Sequence, residues 1–359
     1  KRQLMVPGSL ALIARAYPLD LRGKAIGTWA AASAITTAFG PVLGGALLSF
    51  GSPEIWRAIF AINLPLGLLA LWILVTRVGH DPRQDNGPLD WIGAALATLS
   101  LGAAAYLLSI LGSAPSSGSA IRPALIGVAC ATGIAFLVRE SRATNPLMPL
   151  ELFKNRVFTS ANTLTFFLYF ALSAVLFYLP MTVISAWGVT ELTATIAFLP
   201  LSVFIGLLSR WVGSLADVHG PRPLLSIGAL IVGFSFLGLG ATAELRAFWE
   251  WVIPLCTLMG FGMALVVGPL STAVMGSVSD ARTGAASGIN NAISRVAGLV
   301  AVAAMGSLAA VAYSSAGGPE SFGAKSDDAV HQSAMDAAFA SIAYFTGCLA
   351  IISLSLIHI

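Results

Sequence analysis

Long runs of apolar residues, separated by short polar connections, fill most of this chain. A helix that crosses a bilayer needs about 20 consecutive, mostly apolar residues, and open sheet edges do not occur in hydrocarbon. The sequence therefore predicts an all-α, polytopic membrane protein with about 11 transmembrane helices. The runs span residues 4–16, 25–50, 56–75, 89–111, 124–138, 157–183, 193–211, 223–243, 251–274, 284–311 and 337–359.

The composition supports this interpretation and excludes a soluble enzyme. Hydrophobic residues make up 57% of the chain, charged residues only 10%, and the mean hydropathy is +0.86. Soluble domains carry roughly 25% charged residues because their surfaces face water. The net charge of +3 comes from scattered basic residues, so no nucleic-acid partner is expected. The cysteines lie inside apolar runs without metal-ligand spacing, so we expect neither a metal site nor a disulfide.

The basic residues of the connections predict the orientation in the membrane. Cytoplasmic loops of membrane proteins carry an excess of Lys and Arg. The richer side, predicted to be cytoplasmic, holds Arg15, Arg22, Lys24, Arg77, Arg83, Arg139, Arg142, Lys154, Arg156, Arg210, Arg222 and Arg282. The opposite side holds Arg57, Arg122, Arg246 and Lys325.

Two cytoplasmic connections resemble each other. Residues 20–27 read D-x-R-G-x-A-x-G, and residues 280–288 read D-x-R-T-G-x-A-x-G. Repeated halves with a site between them are typical of secondary transporters, although any short basic loop before a helix of small residues would look similar. The charged stretch 140–156 is the predicted boundary between two helical bundles.

Polar residues inside the apolar runs are the candidates for a substrate or proton path. Arg295 lies about 16 Å along a helix from Gly284, about half of a hydrocarbon core roughly 30 Å thick. An arginine at that depth costs about 2.5–3.5 kcal/mol, so it should face a polar cavity or a partner. Asn291 lies one turn earlier on the same face. The alternative for Arg295 is a structural bond to a backbone carbonyl.

Further path candidates are asparagines within the runs, each of which could instead form a helix–helix hydrogen bond. They are Asn63, Asn162 and Asn290. The acidic residues all fall in loops or at span ends, with Asp90 and Glu191 nearest to the membrane. The sequence therefore predicts no carboxylate at mid-membrane.

Four stretches, in this order, resemble the major facilitator superfamily and, within it, the family of 14-helix drug:proton antiporters. They are GPVLGG at 40–45, WRAIFAINLP at 56–65, GSLADVHGPR at 213–222 and GAASGINNA at 284–292. The first resembles the antiporter motif GPxxGG and the third the superfamily's cytoplasmic G-x-L-a-D-r-x-G-r-r loop. Val218 departs from that loop, because it stands where the family has a basic residue.

The resemblance implies a division into three parts and a fragment that lacks the first three helices. Residues 1–76 would be helices 4–6 of an N-terminal six-helix bundle. Residues 77–156 would be a linker with two extra transmembrane helices, and residues 157–359 would be the C-terminal six-helix bundle. The chain opens at Lys1 rather than Met, which agrees with this expectation.

The resemblance also assigns functional residues. Gly40, Pro41, Gly44 and Gly45 would form the antiporter motif, in which the proline bends the helix and the glycines allow close packing; a packing kink without bearing on transport is the alternative. Together with the two similar connections, the loop at 213–222 supplies the candidate cytoplasmic gating residues: Asp20, Arg22, Gly213, Asp217, Gly220, Arg222, Asp280 and Arg282. Asp217 could cap the next helix or pair with Arg222, and such a pair could act as a two-state latch; a solvated turn is the alternative.

The leading functional hypothesis is proton-coupled efflux of a hydrophobic or amphipathic compound across the bacterial inner membrane. The implied partners are that small molecule, protons and the lipid bilayer, with room for a periplasmic adaptor, and no cofactor is implied. A symporter that imports a nutrient is the nearest alternative. A membrane-embedded transferase is the remote one, because the four histidines are isolated from acids in any recognisable motif.

Overall fold

The computed structural model describes residues 13, 17–18, 21–33, 61, 63–77, 90–111, 121–144, 146–279, 282–319 and 322–356. All regular elements within these ranges are helical, which confirms the predicted fold class. The α-helices are α1 (21–33), α2 (Asn63–Arg77), α3 (Trp91–Leu111), α4 (Ile121–Arg142), α5 (Arg156–Ser185), α6 (Glu191–Ile196), α7 (Leu199–His219), α8 (Pro221–Ala241), α9 (Ile253–Gly276), α10 (Thr283–Ser315) and α11 (Ala329–Ile352).

Seven helical segments in the described part are long and apolar enough to cross a membrane. They are Ile121–Arg142, Arg156–Ser185, Thr193–His219, Pro221–Ala241, Phe248–Gly276, Thr283–Ser315 and Ala329–Ser355. Shorter apolar helices lie at Asn63–Ile73 and Trp91–Leu107. Three predicted bounds were wrong: the run 124–138 belongs to the longer α4, the run 193–211 continues to His219, and the last helix begins at Ala329 rather than at 337. The run 4–16, apart from residue 13, lies outside the described residues.

The helices from α5 onward pack into one bundle around a shared apolar core. Large side chains such as Phe158, Phe236 and Phe339 are almost fully buried in it. Small residues set the helix spacing: a Cβ on Gly228 of α8 would lie 2.6 Å from a methyl carbon of Val266 on α9. This agrees with helix association in membranes, which depends on close packing of small residues.

Helices α3 and α4 pack against each other, and a polar cluster closes the end of this pair. Asp90 accepts a hydrogen bond from the Gly93 N–H at 2.9 Å and forms an ion pair with Arg139 at 3.1 Å. The hydrogen bond from Gly93 and then the Arg139 guanidinium hold the pKa of Asp90 below its ordinary value. Glu140, also buried, accepts a hydrogen bond from the Met148 N–H at 2.8 Å, which joins α4 to the chain that leads into α5.

Candidate transport gate and path

The backbones of α1 and α7 touch directly where these two helices cross. A Cβ on Gly27 would lie 2.1 Å from the carbonyl oxygen of Ser209, and one on Gly213 would lie 2.2 Å from the carbonyl oxygen of Gly23. Both distances are shorter than any real carbon–oxygen contact, so only glycine allows this approach. Ser209 is completely buried at the crossing. At this crossing, α1 of the N-terminal part of the chain is in direct contact with the C-terminal bundle.

Asp217, near the C-terminal end of α7, caps the N-terminus of α1. Its Oδ1 accepts a hydrogen bond from the Gly23 N–H at 2.9 Å, and its Oδ2 accepts one from the Lys24 N–H at 3.0 Å. The first N–H groups of a helix have no partner within the helix, and a carboxylate there is also favoured by the helix dipole. One carboxylate therefore satisfies the start of a helix that lies almost two hundred residues away in sequence.

This contact corrects both partners that the sequence suggested for Asp217. The side chain lies in α7 and caps α1, not the following helix α8, whose N-cap is Gly220 without a side-chain hydrogen bond. Among the described residues, no ion pair joins Asp217 to Arg222, which lies exposed in the first turn of α8. Gly220 has φ +78° and ψ 162°, a conformation that favours glycine and lets α8 start directly after α7.

The remaining residues of the predicted gating loops divide between two places. Arg22 lies in the first turn of α1, where its Nε donates a hydrogen bond to the Tyr17 carbonyl oxygen at 3.0 Å. Arg282 instead forms an exposed ion pair with Glu151 at 3.0 Å, just before α10. Asp20 and Asp280 lie outside the described residues, as do Gly40, Pro41, Gly44 and Gly45 of the antiporter motif. The structure therefore brings together the start of α1, which contains Arg22, and the end of α7, which contains Asp217. Arg282 lies elsewhere and contacts the segment before α5.

Two of the predicted path residues form a hydrogen-bonded tie between α5 and α10. Asn290 donates from its Nδ2 to Asn162 Oδ1 at 3.1 Å and to Thr165 Oγ1 at 2.8 Å. Asn162 is almost fully buried and donates to the Phe158 carbonyl oxygen. Both side-chain amides therefore form hydrogen bonds within the protein, as the alternative role of a helix–helix hydrogen bond predicts.

Arg295 lies further along α10, on a face turned away from the bundle core. It is exposed, whereas Ala297 and Ala301 of the same helix are completely buried. Tyr169 of α5 is near enough to interact with it electrostatically. Asn291 is partly buried one turn before Arg295, and Asn63 is exposed at the first position of α2.

A buried carboxylate that sequence reasoning missed lies in α11. The prediction that all acids fall in loops or at span ends was wrong for Asp336, because α11 begins before the apolar run and includes it in a membrane-spanning segment. Asp336 is 1% exposed and accepts hydrogen bonds from Trp187 Nε1 and Arg246 Nε, both at 2.7 Å. Arg246 also donates to Gln332 Oε1. Through these hydrogen bonds the cluster connects the end of α5 and the segment between α8 and α9 to the start of α11.

The end of the bundle that contains Asp336 holds a second polar cluster and a cavity. His331 is completely buried between the Tyr313 hydroxyl, 2.6 Å from its Nδ1, and the Ala324 carbonyl oxygen, 2.9 Å from its Nε2. Nearby, a cavity of about 400 Å³ opens between the end of α5 and residues 325–327. An exposed ion pair between Lys325 and Glu191 lines it at 3.0 Å. The hydrogen bond from its own backbone N–H and then Lys325 hold the pKa of Glu191 below its ordinary value.

Membrane-spanning helices packed in a bundle, with α1 of the preceding part of the chain in contact with α7, define a polytopic α-helical membrane protein. The model of the Major Facilitator Superfamily matches residues 3–302. The chain therefore belongs to the major facilitator superfamily.

The relatives and a solved structure agree with this assignment. The chain is 29% identical over 304 residues to the multidrug resistance protein Stp of Mycobacterium tuberculosis. The aligned residues cover 84% of this chain and 55% of Stp. It is 28% identical to the tetracenomycin C resistance and export protein of Streptomyces glaucescens, with 86% of this chain and 56% of that protein covered. The chain thus spans about half the length of these relatives.

The proton:xylose symporter XylE, solved with 6-bromo-6-deoxy-D-glucose, shares the fold. Its TM-score is 0.61 at 17% identity, over 97% of this chain and 66% of XylE. An identity this low supports the fold alone.

Proposed function

We propose that this protein exports a hydrophobic or amphipathic compound across the bacterial inner membrane by alternating access, coupled to proton entry. The relatives whose names refer to multidrug resistance or antibiotic export support the direction and the substrate class. The two halves would be those expected from the 14-helix drug:proton antiporters. Residues 1–76 would contribute helices 4–6, residues 77–156 the two extra helices, and residues 157–359 the C-terminal bundle.

The observation that carries the proposal is the capped crossing of α1 and α7. Alternating access requires a contact between the halves that closes one side and can be broken again. Asp217 accepts the N–H groups of Gly23 and Lys24 and is itself only partly buried, so water can replace α1 at this carboxylate when the helices separate. The cytoplasmic side would be closed when Asp217 caps α1 and open when the cap is released.

Arg295 would supply the charge of the path. A guanidinium on a membrane-spanning helix is costly unless it faces water or a partner, and Arg295 lies on the face of α10 that the bundle core leaves free. Tyr169 and Asn291 would complete a polar patch beside it. Asn290 and Asn162 would stabilise the packing of α5 against α10 behind this patch, and Asn63 would approach the path from the N-terminal half.

The experiment follows the lumenal pH of everted membrane vesicles that contain the protein while candidate drugs are added. A drug should dissipate a preformed proton gradient, and Arg295→Ala should abolish this response without loss of protein from the membrane. Arg295→Lys should restore part of it. Leu299→Ala, one turn further on the same exposed face, is the matched control and should respond as the unmodified protein does.

Each outcome distinguishes the functions that remain open. If no compound changes the lumenal pH although the protein is present and folded, proton-coupled export is wrong. Substrate-driven proton movement together with intracellular accumulation would instead establish a symporter that imports a nutrient. A response that Arg295→Ala leaves intact would remove Arg295 from the path.

A further inference from the structure

A crevice opens between the first turns of α5 and the start of α8, at the end of the C-terminal bundle that the basic residues predict to be cytoplasmic. Its volume is about 290 Å³. Apolar side chains of three helices form its walls: Val157, Ala161 and Leu164 from α5, Leu225 from α8 and Ala273 from α9. Pockets that enclose a drug-sized ligand measure about 300–1,000 Å³, so this crevice holds only a part of a large amphipathic molecule.

The mouth of the crevice is basic. His219 and Arg222 line it, and both are exposed. Within the described part of the chain, neither side chain has a hydrogen bond or an ion pair. Arg156, exposed next to the wall residue Val157, adds a further positive charge at this end. No acidic residue is among those that line the crevice.

The start of α8 strengthens the attraction for an anion. Its N-cap, Gly220, contributes no side-chain hydrogen bond, so the positive end of the helix dipole is not neutralised there. Pro221 and Pro223 have no N–H group, which leaves the Arg222 N–H as a donor of the first turn. A phosphate at this point would meet the guanidinium, the imidazole and a backbone N–H together.

We propose that this crevice binds an anionic glycerophospholipid of the cytoplasmic leaflet. The phosphate would lie against Arg222 and His219, and the upper part of one acyl chain would lie along Val157 and Ala273, which are the accessible apolar side chains of the lining. The predicted orientation places this end of the bundle at the cytoplasmic surface, where anionic lipids are attracted to basic residues and occupy basic pockets between helices. Charge at the mouth and apolar walls behind it match the two parts of a phospholipid.

The test uses the purified, delipidated full chain and native mass spectrometry. Dioleoyl phosphatidylglycerol, dioleoyl phosphatidylcholine and inorganic phosphate are added in separate titrations. The protein should retain phosphatidylglycerol in preference to phosphatidylcholine, and Arg222→Gln should weaken phosphatidylglycerol binding about fivefold. Arg142→Gln, at an exposed arginine on the same predicted side but in α4, is the matched control and should bind as the unmodified protein does.

A second variant tests the apolar part without a change of charge. Ala273→Leu fills the crevice from α9 and should weaken phosphatidylglycerol binding although both basic residues remain. Equal binding of the two lipids, or unchanged binding by Arg222→Gln, would overturn the proposal. Binding of inorganic phosphate as tight as that of phosphatidylglycerol would also overturn it, because the site would then be a simple anion site. None of these measurements depends on transport activity.

Discussion

Replacement of Asp217 by Asn should shift the protein toward a state that is open to the cytoplasm. In the structure, each carboxylate oxygen of Asp217 accepts one N–H of α1, at 2.9 and 3.0 Å. Asparagine keeps one accepting oxygen, but its NH₂ group would face the other N–H, and the charge that interacts with the helix dipole is lost. An N-cap is worth about 1 kcal/mol and the dipole interaction about 0.3–1 kcal/mol. A combined loss of about 1.4 kcal/mol changes the open-to-closed ratio about tenfold.

The assay measures how often α1 and α7 separate. Ser209 is completely buried against α1, so a cysteine at this position should react with a membrane-impermeant maleimide only when the crossing opens. The Ser209→Cys protein is prepared without Cys130, Cys256 and Cys348 and is labelled in everted vesicles, whose outer face is the cytoplasmic one. Addition of Asp217→Asn should increase the labelling rate about tenfold.

The matched control removes a similar cap elsewhere. Asp328 caps α11 by accepting a hydrogen bond from the His331 N–H at 3.2 Å, far from the crossing in the chain. Asp328→Asn should therefore leave the labelling rate of a cysteine at position 209 unchanged. Equal labelling rates with and without Asp217→Asn would refute the idea that this cap holds the crossing closed.

Three further predictions follow from the same contacts. Gly213→Ala places a Cβ 2.2 Å from the Gly23 carbonyl oxygen and should raise the labelling rate at position 209, whereas Gly276→Ala, with open space around it, should not. Asp336→Asn leaves Arg246 without its anion and should lower the free energy of unfolding by about 2–3 kcal/mol. This is less than the roughly 3–5 kcal/mol of a fully buried pair, because Arg246 reaches water. Unchanged thermal unfolding would contradict this prediction, and Trp187→Phe, which removes one hydrogen bond to Asp336, should cost only about 1 kcal/mol. The pKa of Asp90 is lowered in the folded protein. Its contribution to stability is therefore present above the ordinary Asp pKa of about 3.9 and is lost as the pH falls below that value. The thermal unfolding temperature should change less between about pH 7 and pH 3 in Asp90→Asn than in the unmodified protein.

Much of the fold could be predicted because the bilayer imposes a length and a polarity on each helix. Predicted runs and helices coincide closely where polar residues bound them, as at α5, which spans Arg156–Ser185 against a predicted 157–183. The start of α11 was missed because His331, Gln332 and Asp336 lower the local hydropathy. These side chains are nevertheless buried or tied down, since Tyr313, Ala324, Trp187 and Arg246 satisfy their polar atoms.

The candidate site could be predicted only in part. Its residues stand out in the sequence: Asp217 as a lone acid in a connection, and Asn290 and Asn162 as polar groups in apolar runs. Their partners do not, because each is determined by which helices meet in the folded protein. The cap on α1 joins segments almost two hundred residues apart, and neither charge nor spacing in the sequence indicates that Asp217 caps α1 rather than the next helix.

The contrast between the two ends of the bundle indicates where movement is easiest. At the end of the bundle that contains Asp336, this carboxylate is buried and bound to both Arg246 and Trp187, and separation of such a pair leaves an uncompensated charge that costs about 2–3 kcal/mol. At the crossing of α1 and α7, glycine backbones meet, and the partly buried Asp217 can exchange the N–H groups of α1 for water at a cost of about 1.4 kcal/mol. The Asp336 cluster joins elements within the C-terminal bundle, whereas the crossing joins that bundle to α1. A conformational change should therefore preserve the bundle and open the crossing, as the proposed alternating access requires.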